Sequence, residues 1–209
     1  MKHTIKLLAV LALMLAIFGE SSAASAIGMF KFKGLGANAS FSSLEGCIRT
    51  NVDVFTAEAV TQTLPLKREP FSSVNLFISQ YDECENVQLL AAEGLAELAE
   101  PDLQISSKLN GATLNTRLTV EDVLTGETFD VTVDLAWSGI APVTREHINF
   151  HFGDQSCKTH SRGRATFRAA ETMGSVSDGW TNFTPELSLG ANLISSNSAE
   201  MSIGCNDSD

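Results

Sequence analysis

Alternation of apolar and polar residues is the clearest pattern in this chain. From Thr128 to Ser138 every second residue is apolar or aromatic, which is typical of a half-buried strand in an antiparallel sheet. A similar alternation runs from Ala112 to Val120. Between the two runs lies Gly126, which can adopt the positive φ of a tight turn. The pattern therefore predicts a β-hairpin, with Trp137 facing the core.

Shorter alternating runs occur along the rest of the chain, separated by stretches rich in Ser, Thr, Asn and Gly. This spacing is typical of an all-β fold, and it predicts an antiparallel β-sandwich with at most one short helix. We expect a single domain over residues 38–205, a loosely ordered segment over 25–37 and a disordered tail over 206–209. The segment Leu89–Glu100 fits a helix by its Leu, Ala and Glu content and a strand by its alternation, and both alternatives stay open.

The N-terminus has the layout of a secretory signal peptide. Lys2 and Lys6 precede an unbroken apolar run, Leu7–Phe18, and small residues follow it. This run is too short to cross a bilayer, which takes about 20 residues. We therefore predict cleavage of residues 1–24, a mature chain without a transmembrane segment, and a secreted or extracellular protein (or a periplasmic one, if the host has an outer membrane).

Four cysteines, all far apart in sequence, follow the predicted signal peptide. An even number of cysteines in an exported chain indicates disulfides, because the compartment is oxidising. Loop closure costs least between neighbours in sequence, which favours Cys47–Cys84 and Cys157–Cys205 over the other two connectivities.

The net charge of the chain makes some classes of binding partner unfavourable. The chain carries a net charge of -11, so its surface repels nucleic acid and anionic lipid at long range. We therefore expect no nucleic-acid partner. Against this acidic background, Arg162, Arg164 and Arg168 share parity, and a strand would place them on one face. They would form either a ligand site for an anion or an ion ladder with acids such as Asp130 and Asp134.

One further ligand candidate is Trp180, which lies among turn residues and could stack on a sugar or fold back onto the core. The chain contains no Gly-x-Ser-x-Gly, His-Glu-x-x-His or Gly-rich phosphate-loop motif. We therefore assign no catalytic residue, metal ligand or cofactor.

The resulting hypothesis is a non-catalytic recognition module that binds a carbohydrate, a polyanion or a surface protein. The alternatives are a secreted hydrolase whose acid and base come from distant positions, and a structural component of a surface or matrix.

Overall fold

The computed structural model describes residues 28–63, 67–153, 158–178, 182–183 and 187–203. Every regular element in these ranges is a β-strand, and every strand pair is antiparallel, so the predicted all-β antiparallel fold is confirmed. Within the same ranges, no helix has the length and apolar character needed to cross a membrane. The strands are β1 (Gly28–Glu45), β2 (Ile48–Thr63), β3 (Lys67–Asp82), β4 (Val87–Glu97), β5 (Leu103–Ile105), β6 (Gly111–Asp122), β7 (Thr128–Gly139), β8 (Thr144–Gly153), β9 (Lys158–Ser177), β10 (Asn182–Phe183) and β11 (Leu187–Ile203).

All eleven strands belong to one hydrogen-bonded sheet rather than to the two separate sheets of a sandwich. The sheet runs β9–β11–β1–β2–β3–β4–β6–β7, and β7 also pairs with β9, so eight strands form a closed ring. Closure depends on the length of β9. Its C-terminal part, Ala170–Ser177, pairs with β7, and its N-terminal part pairs with β8 beyond the ring. Pairing between such distant segments leaves no trace in local periodicity, which is why the sequence predicted the strands but not their closure.

The inside of the ring is the apolar core. The predicted hairpin supplies much of it: Leu118, Val131, Val133 and Leu135 are all buried, and their exposed neighbours point outward. Trp137 is also buried, as predicted, and its indole N–H donates to the backbone carbonyl of Asn38 at 2.9 Å. The indole can therefore be buried at low cost, because its N–H has a hydrogen-bond acceptor.

The structure shows the conformation of two segments that the sequence did not predict clearly, residues 89–100 and residues 28–37. Residues 87–97 form β4, so the segment Leu89–Glu100 is strand over most of its length. A Cβ added to Gly94 would lie 2.7 Å from a methyl group of Val120, so only glycine lets β4 approach β6 this closely. Residues 28–37 were expected to be loosely ordered, but they form the first half of β1. Gly34 and Gly36 interrupt the alternation there and hide the strand.

The turn that leads from β6 into the hairpin loop is fixed by Asp122. This side chain is 5% exposed and accepts hydrogen bonds from the amides of Leu124 (3.1 Å) and Ala91 (3.2 Å) and from the hydroxyl of Thr125 (2.8 Å). Burial of the carboxyl raises its pKa, but these hydrogen bonds to the charged form outweigh that effect and leave the pKa of Asp122 below its ordinary value. Because Ala91 lies in β4, Asp122 also joins β4 to β6.

The predicted disulfide Cys47–Cys84 is confirmed, with the two Cα atoms 5.5 Å apart. It links the β1–β2 turn to the β3–β4 turn, where Arg49 also forms an ion pair with Glu83 at 2.6 Å. Such a bond fits a protein that folds in an oxidising compartment. The second predicted pair, Cys157–Cys205, lies outside the described residues and stays a prediction. The predicted signal peptide 1–24, the C-terminal residues 206–209 and Trp180 also lie outside the described residues, so the predictions for them stay untested.

Candidate functional site

The inner face of β9 changes from apolar to cationic along the strand. In its C-terminal part the even-numbered residues face the interior, and Ala170 and Val176 are buried in the core. Nearer the N-terminus the same face is exposed at Arg162 and Arg164, and the buried residues are Ala165 and Phe167 on the opposite face. Successive side chains alternate between faces, so Arg162, Arg164 and Arg168 lie on this same inner face. The common face that the spacing predicted is thus present, and it continues the core surface past the point where β7 ends and β8 begins.

Arg168 is separated from the other two arginines by its contacts with the protein. It is half-buried, and its guanidinium donates to the side-chain oxygen of Asn110 at 2.5 Å and to the carbonyl of Leu109 at 3.4 Å. A Cβ on Gly139 would lie 2.5 Å from its Nε, so the residue packs in a confined space. These contacts indicate a structural role for Arg168, which holds the 106–111 turn against β9.

Arg162 and Arg164, in contrast, belong to a group of exposed cations. In register, Arg164 is next to Asn197 of β11, which is next to Lys33 of β1, and Arg162 is related to Lys31 in the same way through Ala199. We call this group the basic face, and it consists of Lys31, Lys33, Arg145, Arg162 and Arg164.

The dimensions of the basic face follow from sheet geometry. Adjacent strands lie about 4.8 Å apart, so the Cα atoms of Lys33 and Arg164 are about 10 Å apart. Adjacent rows on one face lie about 7 Å apart along the strands. The two lysines are more than 100 positions from the arginines in sequence, and local periodicity could not identify them.

The acids that the sequence proposed as partners of the arginines lie elsewhere. Asp130 binds Arg117 at 2.8 Å and the hydroxyl of Thr119 at 2.7 Å, and these contacts lower the pKa of its carboxyl. Asp134 is in register with Asn115 and Ser175, far along the sheet from Arg164. The predicted ion ladder between these two aspartates and the arginines is therefore wrong. Among the described residues, none forms an ion pair with any member of the basic face.

A cleft of about 760 Å³ opens on the same inner face, beside Lys33. One wall is formed by β1, β2 and β3, and the other by the segment 98–107, which includes β5. The backbone of that segment is hydrogen-bonded to the sheet at Leu98, whose N–H donates to Ser72 (2.9 Å), and at Asp102, whose carbonyl accepts from the N–H of Asn115 (2.9 Å). β5 also pairs with β6, so this wall of the cleft is held against the sheet.

The lining of the cleft is mixed. Leu35, Val60, Leu98 and Leu103 supply apolar surface, and Lys33, Glu58 and Glu100 supply charge. The pKa of Glu58 is raised, first because burial disfavours the charged carboxylate and second because the charge of Glu100 acts on it. Sequence reasoning missed this cleft, because its lining comes from five separate segments.

No family model and no curated protein matches the chain. Weak structural similarity exists to the enduracididine biosynthesis enzyme MppR, with 9% identity over 91% of this chain and 94% of that one and a TM-score of 0.28. A structure named as an AttH from Nitrosomonas europaea gives 8% identity over 92% of this chain and 58% of that one, with a TM-score of 0.26. Similarities at this level carry no argument about function.

Proposed function

We propose that this protein is an exported, non-catalytic binding module whose anionic ligand, such as an acidic glycan, lies on the basic face. One observation carries the proposal: five exposed cations share one face of a chain with a net charge of -11, and no described acid pairs with them. The lysines and Arg162 and Arg164 are separated by β11, about 10 Å apart, and like charges at that distance repel one another at low ionic strength. A ligand with several acidic groups would offset that repulsion, and arginine binds sulfate, phosphate or carboxylate through two parallel hydrogen bonds.

Export is part of the proposal. It is supported by the signal-peptide pattern of residues 1–24 and by the Cys47–Cys84 disulfide. The intact mass of protein recovered outside the cytoplasm should correspond to a chain beginning near Ser25 or Ile27. Recovery of the chain with Met1 in place would contradict export by cleavage.

Retention on an immobilised sulfated polysaccharide tests the binding function. We expect the double variant R162A/R164A to elute at clearly lower salt than the wild-type protein. The matched control is R49A/R117A, which removes the same charge from arginines that already have acidic partners, Glu83 and Asp130. The control should elute like the wild type, because retention depends on the position of the charges and not on net charge alone.

Salt dependence provides a second criterion. Binding through exposed cations should weaken as salt rises past about 0.15 M, where the screening length is about 8 Å. Equal elution of both double variants, or no retention of any of the three proteins, would refute the anion site.

The alternative of a secreted hydrolase is favoured by one feature, the position of Glu58 and Glu100 in a common cleft. Glycoside hydrolases use two carboxyl groups, of which the general acid has a raised pKa, as Glu58 does. Hydrolysis of chromogenic glycosides by the wild-type protein, abolished in both E58Q and E100Q, would establish this alternative. Binding without turnover would leave the recognition module as the function.

A further inference from the structure

The geometry points to an amphiphilic anion as the ligand class, with its acidic head on the basic face and its apolar chain in the adjoining cleft. This inference rests on the proposed function, because the head group uses the same cations. It adds that a second, apolar subsite lies next to the anion site, and that a ligand with both chemical characters fits the mouth of the ring better than a fully hydrophilic one.

The continuity of the two subsites is the first argument. Lys33 lines the cleft and belongs to the basic face, so it forms the boundary between them. From Lys33, the row toward β9 leads through Asn197 to Arg164, and the row toward β3 leads through Val60 to Pro70. A single ligand lying across β11, β1 and β2 would therefore meet cations at one end and apolar side chains at the other.

The exposure of the apolar residues is the second argument. Val60 is 41% exposed although it lies on the inner face, and Leu35 beside it is half-buried. The opposite wall includes Leu98 and Leu103, which belong to the core and are 9% and 6% exposed, so Val60 and Leu35 supply most of the accessible apolar surface. A concave apolar surface of this kind, in a cavity of about 760 Å³, is within the usual size of small-molecule sites. Water in contact with this surface would be released when an alkyl chain binds.

The two carboxyl groups in the cleft are the third consideration. Glu58 lies on β2, three strands from Arg164, and Glu100 lines the same cleft, so the two would flank the alkyl chain rather than a head group bound at Arg164. The surroundings of Glu58 favour its neutral form. A neutral carboxyl group can lie beside an alkyl chain at far lower cost than a carboxylate. If Glu58 and Glu100 were both charged, they would instead favour a cationic amphiphile. Comparing anionic and cationic probes with the same alkyl chain distinguishes these two ligand classes.

Calorimetric titration of the mature protein with decyl phosphate, decyl maltoside and decyltrimethylammonium, each below its critical micelle concentration, tests the inference. The three probes share one chain and differ only in head-group charge. We expect decyl phosphate to bind most tightly and inorganic phosphate at least 100-fold more weakly. Along the hexyl, octyl and decyl phosphates, affinity should rise about fourfold for each methylene that enters the cleft.

A matched pair of valine variants tests whether the alkyl chain of the ligand binds in the cleft. V60S should weaken decyl phosphate binding about fivefold, because it removes apolar surface from the cleft. V87S changes a valine of similar exposure outside the cleft and should leave binding unchanged. R162A/R164A should weaken decyl phosphate but not decyl maltoside.

Several results would overturn the inference. These are tighter binding of decyltrimethylammonium than of decyl phosphate, an affinity independent of chain length, or equal effects of V60S and V87S. If affinity does not depend on chain length while the sulfated polysaccharide is still retained through Arg162 and Arg164, only the amphiphile inference fails. If neither phosphate ligands nor the polysaccharide depend on these arginines, the proposed function fails as well.

Discussion

The two faces of β7 can be distinguished by exchanging valine and threonine at adjacent positions. Val133 is fully buried on the inner face, and Thr132 next to it is exposed on the outer face, opposite Arg117 of β6. Valine and threonine have nearly the same shape, so V133T and T132V change polarity with little change in volume. Each substitution serves as the control for the other.

The expected magnitudes follow from burial. V133T places a hydroxyl group among apolar side chains, and a buried hydroxyl without a partner destabilises by about 1–3 kcal/mol. For a chain of this length, that corresponds to a fall in Tm of about 2–12 °C. T132V alters an exposed position and should change the free energy of unfolding by no more than about 0.5 kcal/mol.

The harsher variant V133D would bury a carboxyl group, whose pKa would rise by about 3–5 units. Protonating this group costs about 4 kcal/mol at pH 7, and burying the neutral carboxyl without a hydrogen-bond partner adds about 1–3 kcal/mol. That is comparable with the whole stability of a typical domain, so V133D should yield little folded protein.

Urea denaturation followed by tryptophan fluorescence is the assay, and the midpoints of V133T, T132V and the wild type should be compared at equal slopes. The expected order is V133T below T132V, with T132V close to the wild type. Equal midpoints, or a larger loss for T132V, would refute the register of β7, because a slip of one residue exchanges the two faces of a strand.

Three further predictions concern stability. Replacing Cys47 and Cys84 together by serine should lower the free energy of unfolding by up to about 4 kcal/mol, the loop-closure value for a separation of 37 residues, and reduction should not destabilise that variant in the same way. D122A should be less stable than the wild type at neutral pH, because the lowered pKa of Asp122 stabilises the fold while the carboxyl is charged. The difference in stability should shrink as pH falls below about 3.8, and a constant difference down to pH 2 would contradict the role of Asp122. E58Q should be more stable than the wild type at neutral pH. The raised pKa of Glu58 makes the wild-type fold lose stability as pH rises from about 4.5 through the pKa in the folded state, so the stabilities of the two proteins should converge below pH 4.5.

Sequence patterns identified the parts of this fold that depend on near neighbours. The hairpin of β6 and β7 was predictable because strict alternation marks both strands and Gly126, with φ of 75°, fits the turn. The first half of β1 was not, because glycines replace the large residues that reveal a strand. Closure of the ring was not predictable either, since it requires β7 to find β9 across about 40 residues and no local signal records that pairing.

The arginines of β9 show the same limit at the candidate site. Parity alone placed Arg162, Arg164 and Arg168 on one face, but it could not tell that Arg168 binds the 106–111 turn or that Asp130 is occupied by Arg117. Both facts depend on register between strands that are distant in sequence, and so does the position of Lys31 and Lys33 beside the arginines.

The strand register shows that Asp130 and Asp134 do not lie beside the arginines of β9, and that Lys31 and Lys33 do. Positive charges about 10 Å apart repel one another, and binding of an anion would offset that repulsion. The same reasoning implies that a bound anion should stabilise the fold, and that R162A/R164A should be at least as stable as the wild type when no anion is present. Destabilisation of that variant in the absence of ligand would mean that the two arginines are held by contacts within the protein.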